Sequence, residues 1–577
     1  MLYKLINDCR NYSNYKFYNV KELTDVSLPI NPILEKLFHD DIFVIDDKIV
    51  KIHTSNIRKN KYLSGLLIID DNKTYGIYNK KKMYKCIPDD FRLPIFLIPY
   101  EFKKIGFSKK YTNLYITFEF FEWSTKHPIG KITQNLGNVD YLNNFYEYQL
   151  YCKNLNHSIL SLNTKTITNL NIKNKKNTNH IDEIVQEYNI FDIRTISQGW
   201  YAFSIDPNNC TDFDDAFSIK HLDNGNILIS IYISNVPIWI DYLELWDYLS
   251  KRVSTLYLPD KKRPMLPSIL SDNLCSLKQN EKRIVLALDL TIENNSIIQH
   301  TFSNVVIEIS KNFIYEETEL LENLHYNTLK SHLCLLQNNK NKFYFLKSIC
   351  DSHDIVANLM IIMNYYCAEN LKTFNTGIFR TTFNSKNQNP IPSNCPSELS
   401  SFLLYWQNIS GLYLPIEQTH NSEYLKHSVL KLDCYVHITS PIRRLVDILN
   451  QIQFSLHNKL IKFSKQASNF YLYWEQNIEF INTSMKSIRK IQTDCALLDL
   501  VNTEPSILEK NYSGYCVDII EMSNSLFQYI IYIPKLSLTG RIIHSEKLSM
   551  YFEYKFSLYL FKNENTFKKK IRIQIEI

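Results

Sequence analysis

The sequence predicts a multidomain α+β protein in which small antiparallel barrels flank a larger mixed domain. Three observations carry that prediction. Both ends of the chain alternate apolar and polar residues with a period of two, broken by short polar turns. The middle instead carries long segments with apolar residues at helical spacing. Within it, residues 204–218 read SIDPNNCTDFDDAFS, which concentrates four carboxylates between two apolar runs. At 577 residues the chain has room for several domains, each with its own core.

In chain order, residues 1–85 contain IFVIDDKIVKIH and SGLLIIDDNKTYGIY, apolar runs separated by Asp-Asp, Asp-Asn and Gly. They read as hairpins closing a first barrel. Residues 86–162 hold PDDFRLPIFLI, YITFEFFEW and HPIGKITQNLG, rich in β-branched and aromatic residues, and read as a second barrel. Tyr111, Tyr115, Phe120 and Trp123 are candidates to stack on bases, although the barrel core is the better reading for at least half of them. Residues 163–190 begin with NTKTITNLNIKNKKNTNH, a polar tract with little to bury that reads as a linker. A large domain then spans 191–505, with helical spacing in IVANLMIIMNYYCAENL (Ile355 to Leu371) and INTSMKSIRKIQTDCALLDL. Residues 506–577 alternate again and end in a lysine-rich tail, reading as a third barrel.

Composition narrows the class. The balance of 65 basic and 59 acidic residues gives a net charge of +6, compatible with a polyanionic partner but weak over this length. Local clusters say more: Lys103-Lys104, Lys109-Lys110, Lys173 to Lys176, Lys261 to Arg263 and Lys568 to Arg572. Each could track phosphates, and for any one alone a solvated face is the commoner explanation. The 12 cysteines are scattered without a C-x-x-C pair, which argues against a zinc ribbon or a disulfide framework and suits a reducing compartment. The opening MLYKLINDCR meets Lys4 and Asp8 too early for a signal peptide, and no apolar run approaches the roughly 18 residues of a bilayer span. The expectation is a soluble intracellular protein of nucleus or cytoplasm, with no membrane partner.

The acidic stretch carries the chemistry. Pro207, Asn208 and Asn209 are turn formers, so Asp206 should end a strand and Asp212, Asp214 and Asp215 should lie on the returning loop. Carboxylates so crowded repel one another and resist desolvation, and a cation offsets both costs. All-oxygen donors suit Mg²⁺ or Mn²⁺ rather than Zn²⁺. Two such ions are the common device for attack on a phosphodiester. An Asp-rich surface turn is the plain alternative. A calcium loop of EF-hand type fits poorly, because Thr211 stands at the sixth-position glycine and Phe217 at the closing glutamate.

The stretch IDPNNCTDFDDAF resembles the signature of the ribonuclease II (RNB) family of 3′→5′ exoribonucleases. It is most similar to the eukaryotic branch that includes the catalytic subunit of the RNA exosome. The resemblance implies an RNB catalytic domain flanked by OB-fold barrels, two cold-shock-like before it (the first degenerate) and one after it. It implies no N-terminal PIN domain. Asp206, Asp212, Asp214 and Asp215 would form a two-Mg²⁺ site in which Mn²⁺ may substitute. The match extends to RVSTLYLPDKKRPMLPSILSDNLCSLKQNEKR, whose Tyr257 would stack on the 3′-terminal base, and to GIFR (Gly377 to Arg380), similar to a segment lining the RNA channel. In LDCYVHITSPIRRLVDILNQ, Pro441 after Ser440 would start a helix with Arg443 and Arg444 in its first turn. By resemblance Arg443 would contact the scissile phosphate and Arg444 would join it in holding RNA. Three departures stand out: Tyr232 and Asn235 where the family has His and Asp, and Gln492 where many relatives carry a functional glutamate.

The first reading is therefore a hydrolytic exoribonuclease that trims single-stranded RNA, not DNA, to nucleoside 5′-monophosphates, alone or with exosome core subunits. The second is an RNA-binding subunit with impaired chemistry, motivated by Asn235, Gln492 and the weak first barrel. Four retained, mutually repelling aspartates weigh against it. A phosphate-dependent exonuclease is disfavoured, because nothing suggests a phosphate pocket.

Overall fold

The computed structural model describes residues 1–576 apart from 48, 72, 102–110, 176–178, 339–344, 383–394, 397, 401, 404–410, 420–421, 523–525 and 563–568. Lys103-Lys104, Lys109-Lys110, Lys176 and Lys568 of the basic clusters lie outside the described residues. The chain forms two units, one of residues 1–156, 258–261 and 487–577, the other of residues 157–257 and 262–486.

The first unit contains three five- or six-stranded sheets. In the N-terminal one, Tyr3–Asn7 is central, flanked by Tyr15–Asn19 and Ile42–Asp46, with Thr24–Val26 and Ile49–Thr54 at open edges. Leu5, Phe17, Leu37 and Phe43 form its core. The second sheet closes into a ring: Leu63–Leu67, Leu114–Glu122, Ile129–Asn138, Phe96–Tyr100 and Lys81–Pro88, the last pairing back on the first. The division between these sheets therefore falls between Thr54 and Leu63 rather than at residue 85. SGLLIID, assigned by sequence to the first barrel, pairs with Lys81–Pro88 in the second. Gly65 and Gly130 permit the closure, because a Cβ on either would stand 2.8 Å from the Phe118 ring. Tyr115 is fully buried against Tyr148 (centroids 4.4 Å apart) and Trp123 against Phe38 (4.8 Å), whereas Tyr111 remains exposed. The C-terminal sheet runs Leu538–His544, Phe527–Ile533, Tyr512–Glu521, Glu553–Lys562, Lys569–Glu576, all antiparallel.

The second unit is built on a six-stranded sheet in the order Asp192–Arg194, Ser296–Ile314, Ala202–Asp206, Asp215–His221, Ile227–Ser234, Lys282–Glu293. The last strand pairs back on Ser296–Ile314, which closes five of the six into a ring. Alternation sorts the side chains. Ala202, Ala216, Tyr232, Val285, Ala287, Val305 and Ile307 fill one face. Phe203, Ile205, Phe217, Ile231 and Leu288 cover the other, against Leu359, Ile362 and Met363 of helix Ser352–Thr373 and Phe454 of helix Leu445–His457. An inner strand such as Ile227–Ser234 therefore buries both faces, which is why its run is nearly all apolar.

The polar tract read as a linker is helical, Leu160–Asn174 followed by His180–Glu187. Leu162, Thr166, Asn169 and Leu170 are buried at helical spacing. Asn169 is held by a hydrogen bond from its amide to the Leu243 carbonyl (2.7 Å), a partner that no local pattern could reveal.

Candidate active site

Strand Ala202–Asp206 ends at Asp206 as expected. The chain turns through Pro207 to Cys210, with the Cys210 N–H on the Pro207 carbonyl (3.1 Å) and Asn209 at φ +63°. Asp215 already opens the return strand, opposite Ile233, so only Asp212 and Asp214 belong to the loop.

Asp214 is 3% exposed and has a protein donor on each oxygen. The Ile442 N–H donates to Oδ1 (2.9 Å) and Arg443 Nε to Oδ2 (3.0 Å). Asp212 is served in the same way: Lys262 Nζ reaches Oδ1 (3.0 Å) and the Tyr257 hydroxyl donates to Oδ2 (3.3 Å). Asp206 differs, because its Oδ2 is buried without a hydrogen-bond partner among the described residues. Burial first, then the neighbouring aspartates, pushes the Asp206 carboxyl up to about 7 and that of Asp215 well above the usual carboxylate range. Burial also lifts Asp214 to about 7, against the pull of Arg443 and the Ile442 amide.

The arginine pair departs from expectation. The helix after Pro441 starts at Leu445, and Ser440 to Arg443 form a turn closed by the Arg444 N–H on the Ser440 carbonyl (3.0 Å). Arg444 is extended (φ −134°, ψ 128°) and bridges Ser254. The extended backbone of Arg444, bridged to Ser254, separates this turn from the helix, while the Ile442 amide is held by Asp214 and the Ser440 amide by Asp447 Oδ1 (2.7 Å). Arg443 thus reaches the acidic loop with a side chain 43% exposed. Arg444 turns inward onto Asp447 (2.8 Å), which is fully buried.

The Tyr257 side chain is 44% exposed beside Asp212, an open aromatic face at the edge of the carboxylates. Asn235, flagged as a lost carboxylate, is 1% exposed and caps helix Val236–Tyr242 by accepting from the Ile238 N–H (3.4 Å). Asn serves at an N-cap as well as Asp does, so the lost charge is tolerated there. Tyr232 lies inside the ring, its hydroxyl against Ser218 (2.8 Å) and Arg194 (3.3 Å). Gln492 stands half-buried on helix Ile478–Thr503, in the part of the chain assigned to the first unit.

Sequence reasoning missed Lys262, Asp272 and Tyr315. Lys262 was one of a basic cluster, and the signal that singles it out is the antiparallel pairing Tyr257↔Lys262. It also reaches Asp272 Oδ1 (3.2 Å) and Thr211 Oγ1 (3.0 Å). The Tyr315 N–H donates to the Asp206 carbonyl (3.1 Å), and Asp215 and Asp206 raise its hydroxyl further above the range that burial sets.

Among the described residues, no three carboxylate, imidazole or thiol groups converge closely enough to hold an ion as they stand. The donor chemistry nevertheless fits a hard divalent cation. It is all oxygen, it contains Asp206 Oδ2, unpartnered among the described residues, and burial with mutual repulsion raises the Asp206 and Asp215 carboxyls, a cost that a cation offsets. Asp206 and Asp215 are its free members; Asp212 and Asp214 already have cationic partners.

Residues 194–342 and 322–459 match the RNB domain family. The chain is 25% identical over 334 residues to ribonuclease R of Chlamydia pneumoniae, covering 46% of this chain and 49% of that protein. It is 28% identical over 207 residues to the human exosome complex exonuclease RRP44, covering 34% and 20%. The chain thus spans about half, or less, of the length of these curated relatives. Its fold is similar to that of Mycoplasma genitalium RNase R, solved with ribose-methylated single-stranded RNA (TM-score 0.66, 16% identity, 100% of this chain and 97% of that one). It is also similar to yeast Ssd1, a pseudonuclease (TM-score 0.57, 14% identity, 94% and 79%). These likenesses give the overall fold, a mixed α+β multidomain chain with sheets forming OB-like barrels. Residues 194–459 form an RNB domain, homologous to those of ribonuclease R and RRP44.

Proposed function

We propose that the chain is a hydrolytic 3′→5′ exoribonuclease that acts on single-stranded RNA and releases nucleoside 5′-monophosphates. The observation that carries this reading is the gathering of Asp206, Asp212, Asp214 and Asp215 at one end of the RNB sheet, with Arg443 brought onto Asp214 from 229 residues away. The four carboxylates would hold two Mg²⁺ ions, or Mn²⁺ in their place. When bound, such ions lower the pKa of an attacking water and neutralise charge on the leaving oxygen.

The chain's own residues do the rest. The exposed ring of Tyr257 offers a stacking face to the last base, which suits a nuclease that reads no sequence, because every base has a π-face. Arg443, oriented by Asp214 and by its Nη2 bond to Ser440 Oγ (2.9 Å), presents the exposed part of its guanidinium to the phosphate. Arg444 acts indirectly, holding the turn that aims Arg443.

An exosome role rests on the RRP44 homology alone. Nucleus or cytoplasm would follow from that partnership. No helix among the described residues is long and apolar enough to cross a membrane.

The second reading, an RNA-binding subunit with impaired chemistry, now leans on Gln492 and the weak first barrel, since Asn235 has a capping role. Gln cannot accept a proton as a general base. The deciding experiment digests a 5′-labelled single-stranded RNA with Mg²⁺ or EDTA, beside Asp214→Asn. A ladder shortening from the 3′ end, lost with EDTA and in the variant, is expected. RNA bound but uncut in Mg²⁺ and Mn²⁺ would transfer the assignment to the binding subunit.

A further inference from the structure

We propose that Lys262 is a built-in counter-cation that competes with the second divalent ion for Asp212, so that this lysine sets how tightly that ion is held. The inference rests on the two-ion reading above and extends it to a residue that the metal ligands themselves do not reveal. Three distances carry it. The Lys262 ammonium lies 3.0 Å from Asp212 Oδ1, 3.2 Å from Asp272 Oδ1 and 3.0 Å from Thr211 Oγ1. An ammonium has three protons, and these three oxygens accept them all. With the Tyr257 hydroxyl on Oδ2, Asp212 has both oxygens taken by the protein.

An ammonium and a divalent ion cannot share one carboxylate oxygen in a partly buried site without strong repulsion. Asp272 resolves the conflict. It gives Lys262 a second carboxylate to retreat to, 10 residues away in sequence and already in contact. Tyr257 can keep its hydrogen bond to Oδ2 while Oδ1 takes the ion, and Tyr257 and Lys262 are paired neighbours on one two-stranded ribbon. A 3′ base that draws Tyr257 away from Asp212 therefore loosens the same corner that Lys262 guards. Lys262 is thus a positioning residue: it acts through Asp212 and couples ion entry to the arrival of an RNA end.

The test is Mn²⁺ binding to the full-length, RNA-free protein, followed by the paramagnetic resonance signal of free Mn²⁺. Wild type, Lys262→Met, Lys262→Arg, Asp272→Asn and Asp206→Asn are compared. Wild type should bind one ion more tightly than a second. Lys262→Met should tighten the second ion about tenfold or more, the effect expected from removing a like charge in contact with its ligand. Lys262→Arg should keep the weak second site. Asp272→Asn should weaken it further, because the lysine then has only Asp212 as an anionic partner. A structural role alone would push Lys262→Met and Asp272→Asn in the same direction, so opposite signs support competition. Equal second-ion affinity in wild type and Lys262→Met overturns it. Mn²⁺ binding that is absent in wild type, or indifferent to Asp206→Asn, instead sinks the two-ion reading beneath it.

Discussion

The acidic loop has two halves that differ in what the protein has already given them. Asp212 and Asp214 have a donor on each oxygen, supplied by Lys262, Tyr257, Ile442 and Arg443. Asp206 keeps a buried oxygen without a partner among the described residues, and Asp215 shares its burial and its repulsion. Identical side chains a few residues apart are thereby divided into a pair that fastens distant segments to the loop and a pair that lacks counter-charge. Carboxylates in one motif are not interchangeable, and substitution should separate them.

The largest effect is expected from Asp206→Asn, which should cut RNA hydrolysis by about a thousandfold, the scale of losing a principal electrostatic group. Without metal it should leave the melting temperature unchanged or raised, because it removes a repelling charge. Asp214→Asn should also abolish cleavage but lower stability by about 1–3 kcal/mol, since Arg443 and the Ile442 amide lose an anionic acceptor. Opposite melting shifts in EDTA at pH 8 would confirm the division, and equal shifts would erase it.

Arg444→Ala should cost about 3 kcal/mol by stranding the buried Asp447, read from urea denaturation. At a temperature where the variant is folded, it should still bind Mn²⁺, because Arg444 touches none of the four aspartates.

The next effect is a pH dependence. Folded Asp206 and Asp214 titrate near 7 against 3.8 for an ordinary aspartate. Between those values the folded chain binds more protons than the unfolded one, so stability falls as pH rises through the window and stays low above 7. In EDTA stability should fall steadily from pH 5 to pH 7 and level off above it. Saturating Mg²⁺ should flatten it, and a slope unaffected by Mg²⁺ would detach the aspartates from metal binding.

The smallest effect concerns Tyr257. Replacement by Ala should raise KM for RNA about tenfold, as expected for one lost base stack. Replacement by Phe keeps the ring and removes only the 3.3 Å bond to Asp212. It should leave KM within about twofold, at the scale of a single neutral hydrogen bond. A KM rise in both variants would show that the hydroxyl, rather than the ring, matters.

Much of the local plan was legible beforehand. The turn after Asp206, the helix over residues 355–371 and the C-terminal strands follow from residue-by-residue preferences, and the structure has each of them. The tract after Asn163 was misread because its polar side chains hide a face completed by partners elsewhere, such as Leu243 for Asn169. The boundary between the first two barrels was misplaced for a related reason. SGLLIID and KMYKCIP are equally good strands in either barrel, and only pairing chooses between them.

The amino-acid sequence by itself determined the chemistry on offer: four carboxylates around one turn, an aromatic ribbon and two adjacent arginines. The tertiary structure alone decided which arginine faces the site. Asp214 captures Ile442 and Arg443 from 228 and 229 residues away, while Asp447 takes Arg444 and the Ser440 amide. It also selected Lys262 from a run of like charges. Local sterics and polarity are written into neighbouring residues, but charge partners meet only when the sheet and its helices have brought the chain together.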